Sequence, residues 1–171
     1  MFKDIGCYRK ILVTGPQRSG TRICAKMIEY DCGHEYLDER AIYTDSVYAL
    51  INIIAYEGEH VIQCPTMSRW CHIFAKVPGV AVVFMIRDVG EIIASQARIH
   101  WQWENVERSL YPGNYEKALP IAAIKYHFWN EYQKPLFQYN AFEIAYNDLA
   151  HHAMWVAKDE RDNWKFDRTV L

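Results

Sequence analysis

The sequence predicts a three-layer α/β/α domain with a mainly parallel central sheet. Three observations favour this class. Apolar, strand-like runs alternate with segments of helical periodicity. The first strand leads directly into a glycine-bounded loop at residues 15–20 and then into a helix. The 171 residues suffice for about one domain, so we expect a single domain over 1–171.

The first strand and helix are marked by a change in hydrophobic period. Ile11–Thr14 is an uninterrupted run of apolar and β-branched residues, typical of a strand buried in a parallel sheet. From Thr21 to Tyr30 apolar residues recur at helical spacing, and Gly33 is placed to end the helix. A short extended segment at 34–37 follows.

The remaining elements continue the alternation. Ser46 is a candidate N-cap for an apolar helix through Tyr56, and 60–64 reads as a strand that Pro65 ends. After these come a short helix at 68–74, a strand at 81–86, a helix through Ser95, a mostly helical stretch at 115–138 and a last strand at 142–146. Helices on both faces of a parallel sheet explain this order.

Charge and composition restrict the partners. The formal net charge is −2, so no general basic field would attract nucleic acid or an anionic membrane. The N-terminal residues have no signal-peptide apolar core, and no run approaches the roughly 18 apolar residues of a membrane span. We therefore expect a cytoplasmic protein without nucleic-acid or membrane partners.

The five cysteines contain no C-x-x-C pair, and their odd number argues against a closed disulfide framework. We expect reduced cysteines in the core. Cys71 and His72 lie near Cys64 in sequence, but this spacing fits no common zinc pattern. No metal site is therefore expected.

The loop between Gly15 and Gly20 has the G-x-x-x-x-G spacing of the Walker A loop, which places the chain in the P-loop class. Lysine and Ser/Thr should follow, but Thr21 and Arg22 stand there instead. The cation lies inside the loop, at Arg18. The loop keeps its phosphate cradle and loses the lysine and the Mg²⁺-holding hydroxyl, which indicates metal-independent group transfer.

A second anion segment follows a later strand. Arg87 ends the apolar run 81–86, and Ser95 lies eight positions further on. Carboxyl ends of parallel strands meet at one edge of the sheet, so this arginine should lie near the loop. An alternative is that Arg87 is a structural residue, paired with Asp88 or Glu91.

These two segments resemble those of the sulfotransferases. Pro16–Thr21 resembles the family's 5′-phosphosulfate loop, and Val82–Ser95 resembles its 3′-phosphate segment, with Arg87 and Ser95 at the family's spacing. The resemblance implies 3′-phosphoadenosine 5′-phosphosulfate as co-substrate, no metal, and a hydroxyl or amine acceptor on a small molecule or glycan. The donor-binding residues that it implies are Gln17, Arg18, Ser19, Gly20, Thr21, Arg22, Arg87 and Ser95.

The resemblance also implies roles at the reacting atoms. Arg18 would stabilise the bridging oxygen as the sulfuryl group departs, the alternative being a solvated loop arginine. Many family members have a histidine after a middle strand, whereas 62–66 contains none. Glu39, which follows the second predicted strand, is therefore the expected general base, unless it is a solvated surface charge.

Weaker candidates for the base are Asp38, His34 and His72. Arg161, Lys165 and Arg168 resemble a basic C-terminal loop of the family that closes over the 3′-phosphate, without the paired glycines of that loop.

Two other functions remain open from the sequence. A P-loop kinase for a small molecule or nucleoside fits the fold and size, although the Lys-Ser/Thr pair is missing. A non-catalytic nucleotide-binding module would retain the loops and lack the base. Magnesium dependence would separate the kinase from the sulfotransferase.

Overall fold

A computed structural model of the chain describes residues 1–39, 46–101, 111 and 119–155. Five strands form one parallel sheet in the order β2-β3-β1-β4-β5. Their bounds are β1 Lys10–Thr14, β2 Glu35–Leu37, β3 His60–Gln63, β4 Val80–Ile86 and β5 Ala141–Ala145. The chain therefore has the P-loop α/β/α fold expected from its sequence. That residues 1–171 form a single domain stays a prediction.

Four α-helices belong to the described part of the chain. They are α1 Thr21–Cys32, α2 Val47–Ala55, α3 Val89–Ala97 and α4 Ile121–Phe128. Gly33 ends α1 as expected, with φ of 75° and its N–H donating to the Glu29 carbonyl at 2.8 Å. Ser46 stands at the N-cap of α2, but its side chain makes no capping hydrogen bond there.

Alternating side chains of the strands divide the core into two layers. Leu12, Ile62 and Phe84 point to one face, where they pack with α2 and with Trp129. Val13 and Met85 point to the other face, where they pack against α1. Period-two alternation in strands that are buried on both faces explains why their sequences are apolar without interruption.

Several predictions need correction. The segment expected as a short helix from 68 is a 3-10 helix at Pro65–Phe74, and the stretch expected from 115 is helical in its described part only from Ile121. A π-helical turn, Trp129–Gln133, follows α4. All five cysteines are free, yet Cys7 is exposed rather than part of the core. The C-terminal basic residues Arg161, Lys165 and Arg168 lie outside the described residues.

The long apolar helix that a membrane span requires is not found among the described residues.

Candidate functional site: a phosphate loop with an arginine cluster

The loop at residues 15–20 joins β1 to α1 at the carboxyl edge of the sheet. Gly20 is the N-cap of α1 with φ of 100°, and Arg18 has φ of 72°, a left-handed conformation that costs a non-glycine residue about 1–3 kcal/mol. Ser19 is fully buried, and its hydroxyl has no hydrogen-bond partner among the described residues. Backbone strain and an unsatisfied donor next to a helix N-terminus are typical of an anion site.

The structure brings the two predicted anion segments together. The Nε of Arg18 donates to the Ser95 hydroxyl on α3 at 3.1 Å. The Nη1 of Arg87, at the end of β4, donates to the Arg18 carbonyl at 2.8 Å. Arg18 therefore lies at one edge of the sheet with Arg87 and Ser95, which follow it by 69 and 77 positions in sequence.

Arg87 also makes the structural contact considered as an alternative. Its Nε lies 2.9 Å from the Glu91 carboxylate, one helical turn away, whereas Asp88 caps α3 by accepting from the Glu91 N–H. The guanidinium lies over the Tyr146 ring, 3.9 Å from its centroid. The ion pair with Glu91 fixes the direction of the Arg87 side chain, which keeps its hydrogen bond to the Arg18 carbonyl in the loop.

Four arginines share this edge. Desolvation lowers the pKa of Arg18, and so do the positive charges of Arg98, Arg87 and Arg22. Such mutual repulsion is relieved when a polyanion binds between the guanidinium groups. Sequence analysis missed Arg98, although it lies three residues after Ser95 and therefore on the same side of the helix.

The first turn of α1 carries Thr21 and Arg22 in the two positions that follow a Walker A glycine. The Thr21 hydroxyl accepts from the Gln63 side chain at 3.1 Å. Arg22 forms an ion pair with Asp38 at 3.0 Å, and its Nε is buried without a hydrogen-bond partner among the described residues. Asp38, a weaker candidate for the base, is thus engaged by an arginine.

Glu39 follows β2 and is partly buried near the loop after β3. Burial raises the pKa of its carboxyl, and the negative charge of Asp38 raises it further. Arg22, Lys125 and a hydrogen bond from the Thr66 N–H act in the opposite direction. A partly buried carboxylate with a raised pKa suits a general base near neutral pH.

Helix α4 supplies two contacts that sequence analysis missed. The buried Lys125 donates to the Gln17 side-chain oxygen in the loop and to the Pro65 carbonyl at 3.3 Å. The hydroxyl of the adjacent Tyr126 accepts from the Arg87 N–H at 2.8 Å and donates to the Arg87 carbonyl at 2.9 Å. Burial raises the pKa of Tyr126 to about 12, so it keeps its proton. The sequence signal that could have revealed these contacts is a lysine among the apolar residues of this helix.

The two histidine candidates lie elsewhere. His34 precedes β2, and its Nε2 is paired with the Tyr8 carbonyl at 2.8 Å, at the amino end of the strands and opposite the loop. His72 lies in the 3-10 helix, where its Nδ1 accepts from Gln133 at 3.2 Å. Neither contact points to the phosphate loop.

Two cavities differ in their relation to this edge. A cavity of about 130 Å³ lies beside Arg87 and Tyr146, between the ends of β4 and β5. A larger one, about 470 Å³, lies at the opposite edge near Gly79 and Asn140 and includes no loop residue. The smaller cavity adjoins the site through Arg87, which lines it together with Asp88 and Glu91, whereas no residue of the loop at 15–20 lines either cavity. Within the described ranges no cluster of three or more His, Cys, Asp or Glu side chains could hold a metal ion.

Comparisons with known proteins give a likeness to solved structures. No family model and no curated protein matches the sequence. The chain is similar to the structure of shikimate kinase from Acinetobacter baumannii in complex with shikimate, at 14% identity over 92% of this chain and 89% of that chain, with a TM-score of 0.46. The name is that of a kinase, the alternative rather than the first function expected above. A likeness at this level identifies neither the reaction nor the substrate of this chain.

Proposed function

We propose that the chain transfers a sulfuryl group from 3′-phosphoadenosine 5′-phosphosulfate to a hydroxyl or amine of a small-molecule or glycan acceptor. The observation that carries the proposal is the linkage of Arg18 to Ser95 and of Arg87 to Arg18. A donor with phosphate at both the 3′ and 5′ positions offers two separate anions to these two segments. The sulfotransferase resemblance of both segments agrees with this assignment.

The proposed reaction is an in-line displacement at sulfur. The acceptor oxygen or nitrogen forms a bond to sulfur while the bond from sulfur to the bridging oxygen breaks, and adenosine 3′,5′-bisphosphate leaves. Arg18 stabilises the charge that develops on the bridging oxygen, and Glu39 takes the acceptor proton. In this complex the Ser19 hydroxyl and the N–H groups at the start of α1 donate to the 5′-phosphate. The Ser19 N–H is engaged within the loop, where it donates to the Pro16 carbonyl at 3.1 Å.

A kinase remains the second candidate because the loop spacing is that of the Walker A motif. In that motif a Ser/Thr hydroxyl binds Mg²⁺ after the lysine. Here Arg22 occupies that position and is paired with Asp38 at 3.0 Å, so these residues do not fit a metal bound in the Walker manner. The site thus favours a donor that needs no divalent cation.

Calorimetric titration separates the candidates without an acceptor. We expect adenosine 3′,5′-bisphosphate to bind without Mg²⁺, and removal of the 3′-phosphate to weaken binding more than tenfold. Charge-assisted contacts of about 1.5–3 kcal/mol justify that factor. Equal affinity for adenosine 5′-phosphate would contradict the role of Arg87. Tighter binding of ATP with Mg²⁺ than of the bisphosphate would favour the kinase.

Turnover is the second half of the test. Incubation of the protein with ³⁵S-labelled donor and a panel of hydroxyl and amine acceptors should give labelled products that EDTA does not abolish. Tight bisphosphate binding with no product across the panel would favour the non-catalytic nucleotide-binding module.

A further inference from the structure

Lys125 is a buried cation that the proposed reaction does not use. It is 2% exposed, although its helix carries exposed positions where a lysine would be solvated. A buried ammonium is retained only where charges or carbonyl oxygens compensate for lost hydration. The groups around Lys125 therefore indicate what the charge does.

These groups come from three loops at the carboxyl edge of the sheet. Gln17 belongs to the phosphate loop after β1, and Pro65 follows β3. Glu39 follows β2, and its carboxylate accepts from the N–H of Thr66, the residue next to Pro65. Lys125 and Glu39 are thus held by the carbonyl and the N–H of a single peptide group, the one that joins Pro65 to Thr66.

We propose that Lys125 is a positioning residue that links the donor loop to the base, by holding Gln17 with its ammonium group and by pairing its charge with Glu39. The assignment rests on the proposed function, since it takes Glu39 as the base. The assignment also explains why the ammonium group of Lys125 lies beside the phosphate loop. The Walker lysine is missing from the loop, and a lysine enters from α4 instead.

The charged groups that face Glu39 determine the expected pH effect. Asp38 is next to it in the chain, Arg22 faces it from α1 and Lys125 from α4, and the Cys64 thiol faces it from the end of β3. Burial raises the pKa of Cys64 well above its usual value, so the thiol stays neutral. Removing the Lys125 charge should therefore raise the pKa of Glu39 and move the acid limb of the rate profile to higher pH.

The first test needs no activity. Glu side chains labelled with ¹³C at the carboxyl carbon are titrated by NMR, with Glu39→Gln identifying the Glu39 signal. In Lys125→Met the Glu39 pKa should rise by on the order of one unit, as expected for loss of a nearby opposite charge. In Lys134→Met, which removes an exposed lysine paired with Glu143 at 2.7 Å, it should not move. An unchanged Glu39 titration in Lys125→Met would overturn the proposal.

The second test is a double-mutant cycle on turnover. On the acid limb of the rate profile, below the Glu39 pKa, Lys125→Met should lower the rate by about tenfold, and should lower it much less when Glu39 is already Gln. Lys125→Arg keeps the charge and should recover part of the pH dependence. If the rate loss of the double variant equals the product of the losses from Lys125→Met and Glu39→Gln, the two residues act independently and the link is contradicted. Should Lys125→Met fail to fold, Lys125→Gln replaces it in both tests.

The two proposals fail separately. A Glu39 pKa that depends on Lys125 in a protein that does not bind the bisphosphate would retain the link and reject the sulfotransferase. Bisphosphate binding and turnover with a Glu39 titration independent of Lys125 would do the reverse.

Discussion

Replacing Gly20 by alanine should damage both the fold and the donor site. Gly20 has φ of 100°, and a Cβ built there would lie 2.6 Å from Cδ2 of Tyr146. Carbon atoms pack favourably at about 3.5–4.0 Å, so the ring would have to move by roughly 1 Å. Because the guanidinium of Arg87 lies over the Tyr146 ring, 3.9 Å from its centroid, that movement should also displace Arg87.

Gly33 provides the matched control. It also has a left-handed backbone, with φ of 75°, but nothing lies within 4 Å of its added Cβ. Gly33→Ala should cost about 1 kcal/mol, since strain of about 1–2 kcal/mol is partly offset by a less flexible unfolded chain. Gly20→Ala adds overpacking of about 1–3 kcal/mol, for a total of about 2–4 kcal/mol.

Urea denaturation of both variants measures the difference, and titration with adenosine 3′,5′-bisphosphate measures the effect on the site. In a Tyr146→Ala background the extra cost of Gly20→Ala should largely disappear. Equal destabilisation by the two glycine changes, or no coupling to Tyr146, would refute the predicted collision.

Two further predictions concern the site and the acid stability. Arg18→Ala should lower turnover by a larger factor than it lowers donor affinity, with partial recovery in Arg18→Lys; an equal loss of both would make Arg18 a binding residue only. Burial opposes ionisation of Asp31, but hydrogen bonds from the N-terminal ammonium, the Phe2 N–H and His152 hold its pKa at about 2. A carboxyl whose pKa is lower in the folded protein stabilises the fold at pH values above its unfolded pKa of about 4, and this contribution disappears as the pH falls towards about 2. Asp31→Asn removes the carboxyl, so the unfolding free energy should depend less on pH over that range. Denaturation followed by circular dichroism measures this dependence.

The strands and the phosphate loop were predictable because local chemistry determines them. Ile11, Leu12 and Val13 are apolar, and Thr14 donates its buried hydroxyl to the Cys64 carbonyl, so neither face of the strand suits solvent. Glycine is one of the few residue types that adopt the backbone conformation at position 20. The proximity of Arg18, Arg87 and Ser95 followed from topology, since carboxyl ends of parallel strands meet at one edge. Their roles toward a donor stay predictions.

The form of the segment at 65–74 could not be predicted, because distant residues satisfy its backbone. The carbonyls of Ser68 and Arg69 both accept from Gln133, each at 2.8 Å. Gln133 belongs to the π-helical turn more than 60 positions away in sequence. Lys125 is a similar case, because its burial depends on a hydrogen bond to Gln17, which lies 108 positions earlier in the sequence. In the sequence, a lysine within a helix is equally consistent with an ammonium group in solvent and with a buried one, and only tertiary packing decides between them.

The arginines at the sheet edge differ in whether a carboxylate balances their charge. Arg22 has Asp38 as its partner, and Arg87 has Glu91. Among the described residues no carboxylate lies within ion-pair distance of Arg18, whose Nε contact is the neutral Ser95 hydroxyl. Its neighbours Arg22, Arg87 and Arg98 add only repulsion. Since the net charge of the chain is −2, acids are available to balance Arg18, yet none of those that the structure describes lies beside it. An anion bound in the loop would therefore interact most strongly with the guanidinium of Arg18, which the described residues leave without a carboxylate partner.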